Sequence, residues 1–517
     1  MINVNHYLRG KLEGDLKIWW LTLIIVTLSI FIIVIDKTFM NVAISTLIKD
    51  LNTNIETIHS IIVIYALVIT CLIIPGAKMQ NIIGRKKIFR AGAFIYGVGA
   101  FIATISINAP MLLLGWSILE GIGAALMVPA ATSIIAGTYE GERRAFSLGI
   151  ISAMAACAGS IGPIIGGFLT VFYSWRYAFA FEVILILIIL LFSRKILDFP
   201  PTMKWSDFNV LGALISSLGL FFLVIGILLF KDTTNSSIVP CFIITSVILL
   251  LIFYFNQEKT MKSGKPPLFN FRLFKNRAFS IGTLTRSIVN FTTGGIFFVI
   301  PVFMQMVLGA DALITGISLI PLSVVDFIIS FTAGKVSTEV QPRYIIFLGF
   351  LVTITGSLYL IFILGPDKTI LDMMPGIVLL GAGLGIVFPH STNLIFSTVR
   401  KDQDPDAACV MSTGINLSST LGITLLGVIL ILGGFGSLTM NNQSYSASQL
   451  NVHLDNIAMD LGLGNQTSEE IEALPTLLNY KKVNATKDAF IVVTIVLSIG
   501  LLSSLLIPLK KPSKMHE

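Results

Sequence analysis

The sequence predicts a polytopic α-helical membrane protein, and three observations carry that reading. Only 12% of the residues are charged while 55% are hydrophobic, and a soluble chain of this size needs roughly twice that charge to cover its surface. Apolar runs of roughly 20 residues recur from end to end, each about the length that crosses a ~30 Å hydrocarbon core. The runs are continuous instead of alternating at every second residue, which excludes a membrane β-barrel. Mean hydropathy is +0.88 over the 517 residues.

Taken in order, the spans fall at 18–44, 57–77, 88–107, 110–136, 145–171, 176–193, 208–230, 237–256, 280–307, 312–333, 344–364, 373–396, 407–434 and 488–508. The first run starts at Ile18 and is too long for a cleavable signal peptide. Cations then decide the topology. Arg9, Lys11 and Lys17 precede the first span, and the even-numbered loops hold most of the rest: Lys78 with Arg85, Lys86, Lys87 and Arg90; Arg143 and Arg144; Arg194, Lys195 and Lys204; Lys259 through Arg277; Lys335 and Arg343; Arg400 and Lys401. The tail adds Lys510, Lys511 and Lys514. Lys and Arg collect in cytoplasmic loops, so both termini are expected in the cytoplasm of a multi-pass plasma-membrane protein. The long connection 436–487 is acidic and rich in Asn and Ser, consistent with an external position.

This distribution also explains the net charge of +7, so no nucleic-acid partner is inferred. Cys71, Cys157, Cys241 and Cys409 all lie in apolar segments, which makes a disulfide framework improbable. Two polar, proline-containing linkers, 194–208 and 256–279, cut the chain into six, two and six spans. The expected units are a six-helix bundle over 1–200, two inserted helices over 201–258, and a second bundle over 259–517 that carries loop 436–487. A glycine-lysine loop follows the second helix of each outer block, "GAKMQNIIGRKK" and "AGKVSTEVQPR". Paired halves around a cleft are the architecture of secondary transporters.

Span five reads "AGSIGPIIGGFL". Gly159, Gly162, Gly166 and Gly167 fall three to four residues apart and make one smooth face for close helix approach, while Pro163 bends the helix. Spacing alone is equally compatible with simple small-residue packing. The Gly-Pro followed by Gly-Gly resembles the antiporter signature of the major facilitator superfamily. "VIDKTFMNVAIS", "SWRYAFAFEV", "LFNFRLFKNRAFSIG", "PVFMQMVLGADALITGISLIPL" and "GAGLGIVFP" follow in the order found in its fourteen-span drug:proton antiporters, the QacA-type multidrug efflux pumps. The resemblance covers nearly the whole chain. It implies an all-α major-facilitator fold of fourteen helices.

Two departures accompany the resemblance. Asn81, Gly84, Arg85 and Lys86 match the family's conformational loop between helices two and three, but Asn81 stands where the family has an aspartate. That acid is thought to join the halves by charge pairing. Ser117 stands where the helix-four motif has an arginine credited with proton coupling.

Ionisable groups at membrane depth are costly unless paired or wetted, and five stand out. Asp36 matches the family acid; it is either a proton carrier and anchor for a cationic substrate or an interfacial acid paired with Lys37. Glu120, near the middle of span four, is a candidate for a substrate or proton role. Glu182, in span six, fits such a role or helix packing equally. Arg286 is either a counter-charge or a snorkelling side chain. Asp326 lies near an acid position of pumps that handle divalent cations. His390 reads as a capping or packing residue. Four acids against one arginine would give a net-negative cavity suited to lipophilic cations, with aromatic side chains adding cation–π contacts.

The leading expectation is therefore a secondary active transporter that couples protons to export of lipophilic, cationic compounds, acting as a monomer without cofactor or metal. An exporter or facilitator of a narrower metabolite or lipid with degenerate coupling is the alternative, and a non-transporting scaffold or sensor is the alternative of another class. An enzyme is disfavoured, since the sequence has no nucleotide-binding loop, metal-ligand cluster or nucleophile–base arrangement.

Overall fold

A computed structural model describes residues 2–139, 141–198, 201, 203–231, 237–336, 341–399, 403–435, 438–440, 443–445 and 468–508. Among these, thirteen helical stretches are long and apolar enough to cross a membrane. The remaining expected span is α7 (Gly141–Phe172), a helix of 32 residues. Residues 337–340 of the second glycine-lysine loop, the connection 446–467, Arg400, Lys401 and the terminal lysines lie outside the described residues.

The chain opens with α1 (Ile2–Val42), a short α2 (Ile44–Asp50) and α3 (Ile55–Ile83). Asn54 caps α3 by accepting from the Thr57 amide at 2.9 Å. Gly84 separates α3 from α4 (Arg85–Thr104) at φ 107°, a left-handed conformation that favours glycine. The fourth span is one rod of three pieces: α5 (Ala109–Leu112), a π-helical segment Leu113–Glu120, and α6 (Gly121–Thr138). After α7 comes α8 (Arg176–Phe192). Its Trp175-Arg176 entry clasps Asp50 at the end of α2, through Trp175 Nε1 at 3.0 Å and Arg176 Nη1 at 3.2 Å.

Helices α9 (Val210–Leu228) and α10 (Val239–Lys262) form a hairpin. Gly212, Gly219 and Gly226, spaced by seven, let α10 side chains such as Leu250 and Ile243 approach the α9 backbone. One side of α9 then seats between α3 and the later helix α16 (Asp404–Leu430). Val63, Leu67 and Cys71 of α3 pack there with Leu220, Val224 and Leu228, beside Leu417 and Leu421. Ser217 Oγ donates to the Cys71 carbonyl at 2.7 Å.

The last helices are α11 (Arg277–Met306), α12 (Ala312–Ser318), α13 (Ile320–Val336), α14 (Pro342–Ile363), α15 (Ile370–Ser397), α16 and α17 (Ser468–Ser504). Capping side chains set two of the starts. Asn276 accepts from the Ala278 amide before α11, and Asp311 from the Ile314 amide before α12. Short strands β1 (Leu438–Met440) and β2 (Gln443–Tyr445) pair antiparallel in the long connection. One expectation is corrected here. The final helix starts at Ser468, not 488, so the loop drawn to 487 ends about five turns earlier. Glu469, Glu470 and Glu472, read as loop acids, fall within this helix.

The two outer blocks touch at the end remote from Gly84. Gln305 of α11 accepts from the Ser45 amide at 2.9 Å and donates to the Val42 carbonyl at 3.1 Å. His59 of α3 lies 3.1 Å from the Ile423 carbonyl of α16. Nearer the middle, Thr70 and Thr420 hydroxyls meet at 2.9 Å.

Candidate functional site

Three of the five intramembrane candidates converge. Asp36 on α1, Glu120 at the end of the π-helical segment and Glu182 on α8 are 0%, 0% and 1% exposed. One carboxylate oxygen from each lies within 4.8 Å of those of the other two. Local sequence explains each placement. Glu182 belongs to the buried stripe Ala178, Phe179, Glu182, Ile186 and Ile189 of α8, so it faces the bundle interior by helical periodicity. Glu120 ends the π-helical segment, a widened turn that recurs at functional sites. Gly99 on α4 makes room for it, since a Cβ there would lie 2.7 Å from Glu120 Cγ.

Aromatic side chains surround this triad. Trp116 Nε1 donates to Asp36 Oδ1 at 2.7 Å, and the Tyr96 hydroxyl donates to Glu182 Oε2 at 3.3 Å. Tyr65 stacks on Trp116 with ring centroids 4.7 Å apart. Asp36 Oδ2, Glu182 Oε1 and both Glu120 oxygens are buried without a hydrogen-bond partner. Among the described residues no cationic nitrogen comes within 4.0 Å of these carboxyls. Lys37 instead points over the Tyr65 ring, 6.0 Å from its centroid, so the Asp36–Lys37 ion pair is not formed. Carboxyl groups this close, shielded from water, cannot all carry charge together. The arrangement suits shared protons.

Ser117, in the position of the family arginine, is fully buried and donates to the Ile61 carbonyl at 2.7 Å. It joins α3 to the π-helical segment and leaves the triad without an adjacent fixed cation. The single net-negative cavity expected from four acids is therefore divided, because the triad is enclosed in the first block and Asp326 belongs to the second.

In that second block Arg286 on α11 is 5% exposed, with its guanidinium carbon 3.3 Å from the centroid of the Phe388 ring on α15. It does not snorkel. Asp326 on α13 accepts from Ser330 Oγ at 3.2 Å and packs on Gly385 of α15. Arg286 and Asp326 do not form an ion pair within 4.0 Å. His390 Nδ1 lies 2.8 Å from the Ile386 carbonyl, in keeping with a packing histidine.

The glycine face of α7 serves two neighbours. Gly162 and Gly166 receive Thr38 and Phe39 of α1, while Gly167 faces the Ala312 carbonyl of α12. Gly316 of α12 in turn lies on the Pro163 carbonyl. Gly159 departs from the pattern, with open space where a Cβ would point.

At the Gly84 end, Asn81 offers its backbone carbonyl to the Met203 amide at 3.0 Å. Arg85 donates to the Ser133 carbonyl at 2.8 Å and Lys86 to that of Arg194 at 2.9 Å. The charge contact between blocks comes from another residue. Lys78 Nζ lies 4.0 Å from Asp406 Oδ1 at the start of α16, and Asn270 donates to the other Asp406 oxygen at 2.8 Å. Sequence reasoning passed over Asp406, Gln305, Trp116, Tyr65 and Tyr96. Only Trp116 carried a local signal, one helical turn before Glu120.

Comparison with known proteins bears on the family and the fold. Residues 26–423 match the Major Facilitator Superfamily. The Methylenomycin A resistance protein of Bacillus subtilis (strain 168) is 26% identical over 440 residues, covering 84% of this chain and 93% of the relative. The methyl viologen resistance protein SmvA of Salmonella typhimurium (strain LT2) is 24% identical over 484 residues, covering 91% and 93%. A bacterial homolog to the human lysosomal transporter Spinster, solved in an inward-facing and occupied conformation, superimposes with a TM-score of 0.61. It is 17% identical and the alignment covers 94% of this chain and 96% of that one, which supports the fold alone. The all-helical architecture is the major-facilitator fold, and the molecule is a transporter, not an enzyme. The chain belongs to the major facilitator superfamily.

Proposed function

We propose that the protein exports lipophilic compounds bearing a positive charge and draws the energy from protons moving the opposite way. The observation that carries this reading is the Asp36–Glu120–Glu182 triad, three buried carboxyls within 4.8 Å of one another in the first block. Adding or removing one proton there changes the charge of a dry site by a full unit, and a low-dielectric interior makes that change strongly felt by neighbouring helices. Trp116 and Tyr96 hold two of the carboxyls in place, so the change is passed to α1 and to the π-helical rod. Both relatives are named for resistance to toxic compounds, and one of those, methyl viologen, is a cation, which supports the substrate class.

Six spans, two inserted spans and six spans form the working units, with the Gly84 loop and both termini on the cytoplasmic face of the plasma membrane. The blocks rock about their contacts as one chain, a monomer. Asp326 and Arg286 face the substrate from the second block. The glycine face Gly162, Pro163, Gly166 and Gly167 seals the outer end, and Asn81, Gly84, Arg85 and Lys86 form the inner hinge loop, where Lys78–Asp406 takes over the pairing that an acid at position 81 would make. Transport of the compound returns the triad to its protonated form from the outside.

Everted membrane vesicles with an imposed pH gradient test this directly. Uptake of tetraphenylphosphonium or methyl viologen should follow the gradient and stop when it is collapsed. Flux of every cation tested at the same rate with and without a gradient would refute proton coupling.

A further inference from the structure

Arg286 is a cation buried in the second block with no ion-pair partner within 4.0 Å among the described residues. It is 95% withdrawn from solvent, yet its Nε and Nη1 groups have no acceptor. Asp326 stays beyond ion-pair distance, and its Oδ1 accepts from the Ser330 hydroxyl. Asn290 donates to the Arg286 carbonyl and adds nothing to the guanidinium. Stacking on Phe388 offsets only part of the cost of a dehydrated, unpaired guanidinium.

The surroundings indicate where a partner would come from. Phe388 is 41% exposed although Arg286 beneath it is buried. Helix α15 uses its Gly376 and Gly383 face against α14, and its Gly381 and Gly385 face against α13. Phe388 meets Arg286 of α11 instead. The two unpaired donors thus belong to a buried guanidinium stacked on a ring that is itself partly exposed.

We infer that Arg286 receives an anionic group of the transported compound, a carboxylate, phenolate or sulfonate, with Phe388 stacking on the adjacent ring. A planar guanidinium with free donors suits such oxygens better than any other side chain. A purely cationic molecule meets like charge at this point. Among the transported cations, those with an acceptor-bearing end on the same aromatic body are accordingly favoured. This rests on the export reading above and narrows it.

The test uses a matched pair of probes, a rhodamine with a free carboxylate and its ethyl ester, which share ring system and cation. Binding to the full-length protein in detergent is read by fluorescence anisotropy, and folding of each variant by its melting transition. The wild type should bind the free acid about tenfold or more tighter than the ester, the increment of one charge-assisted hydrogen bond. Arg286→Gln should erase that preference, with the free acid losing affinity relative to the ester by about tenfold. Arg286→Lys should keep part of it, and carries the test if the glutamine variant fails to fold. Equal affinities in the wild type, a preference that survives Arg286→Gln, or binding of neither probe would overturn the inference. Gradient-driven flux of the ester is measured in parallel. Flux without carboxylate preference overturns only the Arg286 assignment, whereas preference without gradient dependence overturns only proton coupling.

Discussion

Substituting Gly167 by alanine should open the end of the molecule remote from Gly84. A Cβ at position 167 would lie 2.5 Å from the Ala312 carbonyl oxygen and 2.7 Å from Leu313 Cα, where ordinary contact begins at 3.4 Å. The obstacle is backbone, so no side chain can swing aside, and α7 and α12 must part by roughly 0.9 Å. Overpacking of this kind costs about 1–3 kcal/mol. Charged only to the conformer in which these helices touch, it shifts the balance between closed and open forms about 5- to 150-fold. Spin labels on cysteines introduced at Phe172 and Ile314, both exposed, in a background lacking the native cysteines, would report the distance distribution. The long-distance population should rise in Gly167→Ala. Gly159→Ala is the internal control, because nothing lies within 4 Å of a Cβ there, and it should behave as wild type. An unchanged distribution in Gly167→Ala, or an equal shift in Gly159→Ala, would refute the assignment of this contact as the closing surface.

Three further outcomes follow from the geometry. Trp116→Phe removes the 2.7 Å donor to Asp36 and should cost about 1–3 kcal/mol of stability, with gradient-driven transport reduced more than substrate binding; equal loss of both would assign Trp116 to the fold alone. Gly99→Ala places a methyl carbon 2.6 Å from the Gly115 carbonyl and 2.7 Å from Glu120 Cγ, so a folded variant should lose proton-dependent flux, which vesicle assays would show. Lys78 and Asp406 side chains are 14% and 31% exposed at 4.0 Å, and a double-mutant cycle on stability should give a coupling of about 0.2–1 kcal/mol that weakens with salt; the charge swap Lys78→Asp with Asp406→Lys should recover most of it.

The helices were legible because membrane spans declare themselves by length and hydropathy, and the basic clusters divided them. Asp36, Glu120 and Glu182 were each visible as charges in apolar runs. Their meeting was not, because it depends on how α1, the π-helical rod and α8 cross, and no local pattern encodes a crossing. The π-helical turn was also hidden, since Leu113–Glu120 reads as ordinary helix. Asn81 and Ser117 were conspicuous as departures, and their consequences became clear only from partners. Ser117 holds α3 through Ile61, and Lys78–Asp406 supplies an ionic contact about 330 residues apart in sequence. The start of α17 was missed because its acidic first turns resemble a polar loop in composition. Arg286 read equally as a counter-charge or a snorkelling side chain near a helix start, and its burial against Phe388 is what the sequence did not show.

Proton movement caused by substrate tests the central claim most directly. Purified protein is reconstituted into vesicles containing a trapped pH dye, and a tetraphenylphosphonium gradient is applied with membrane voltage clamped by potassium and valinomycin. Efflux of the cation should drive protons in the opposite direction, and Asp36→Asn should abolish the proton signal in protein that still melts cooperatively. Cation efflux with no accompanying proton movement in the wild type, or an undiminished signal in Asp36→Asn, would contradict the account.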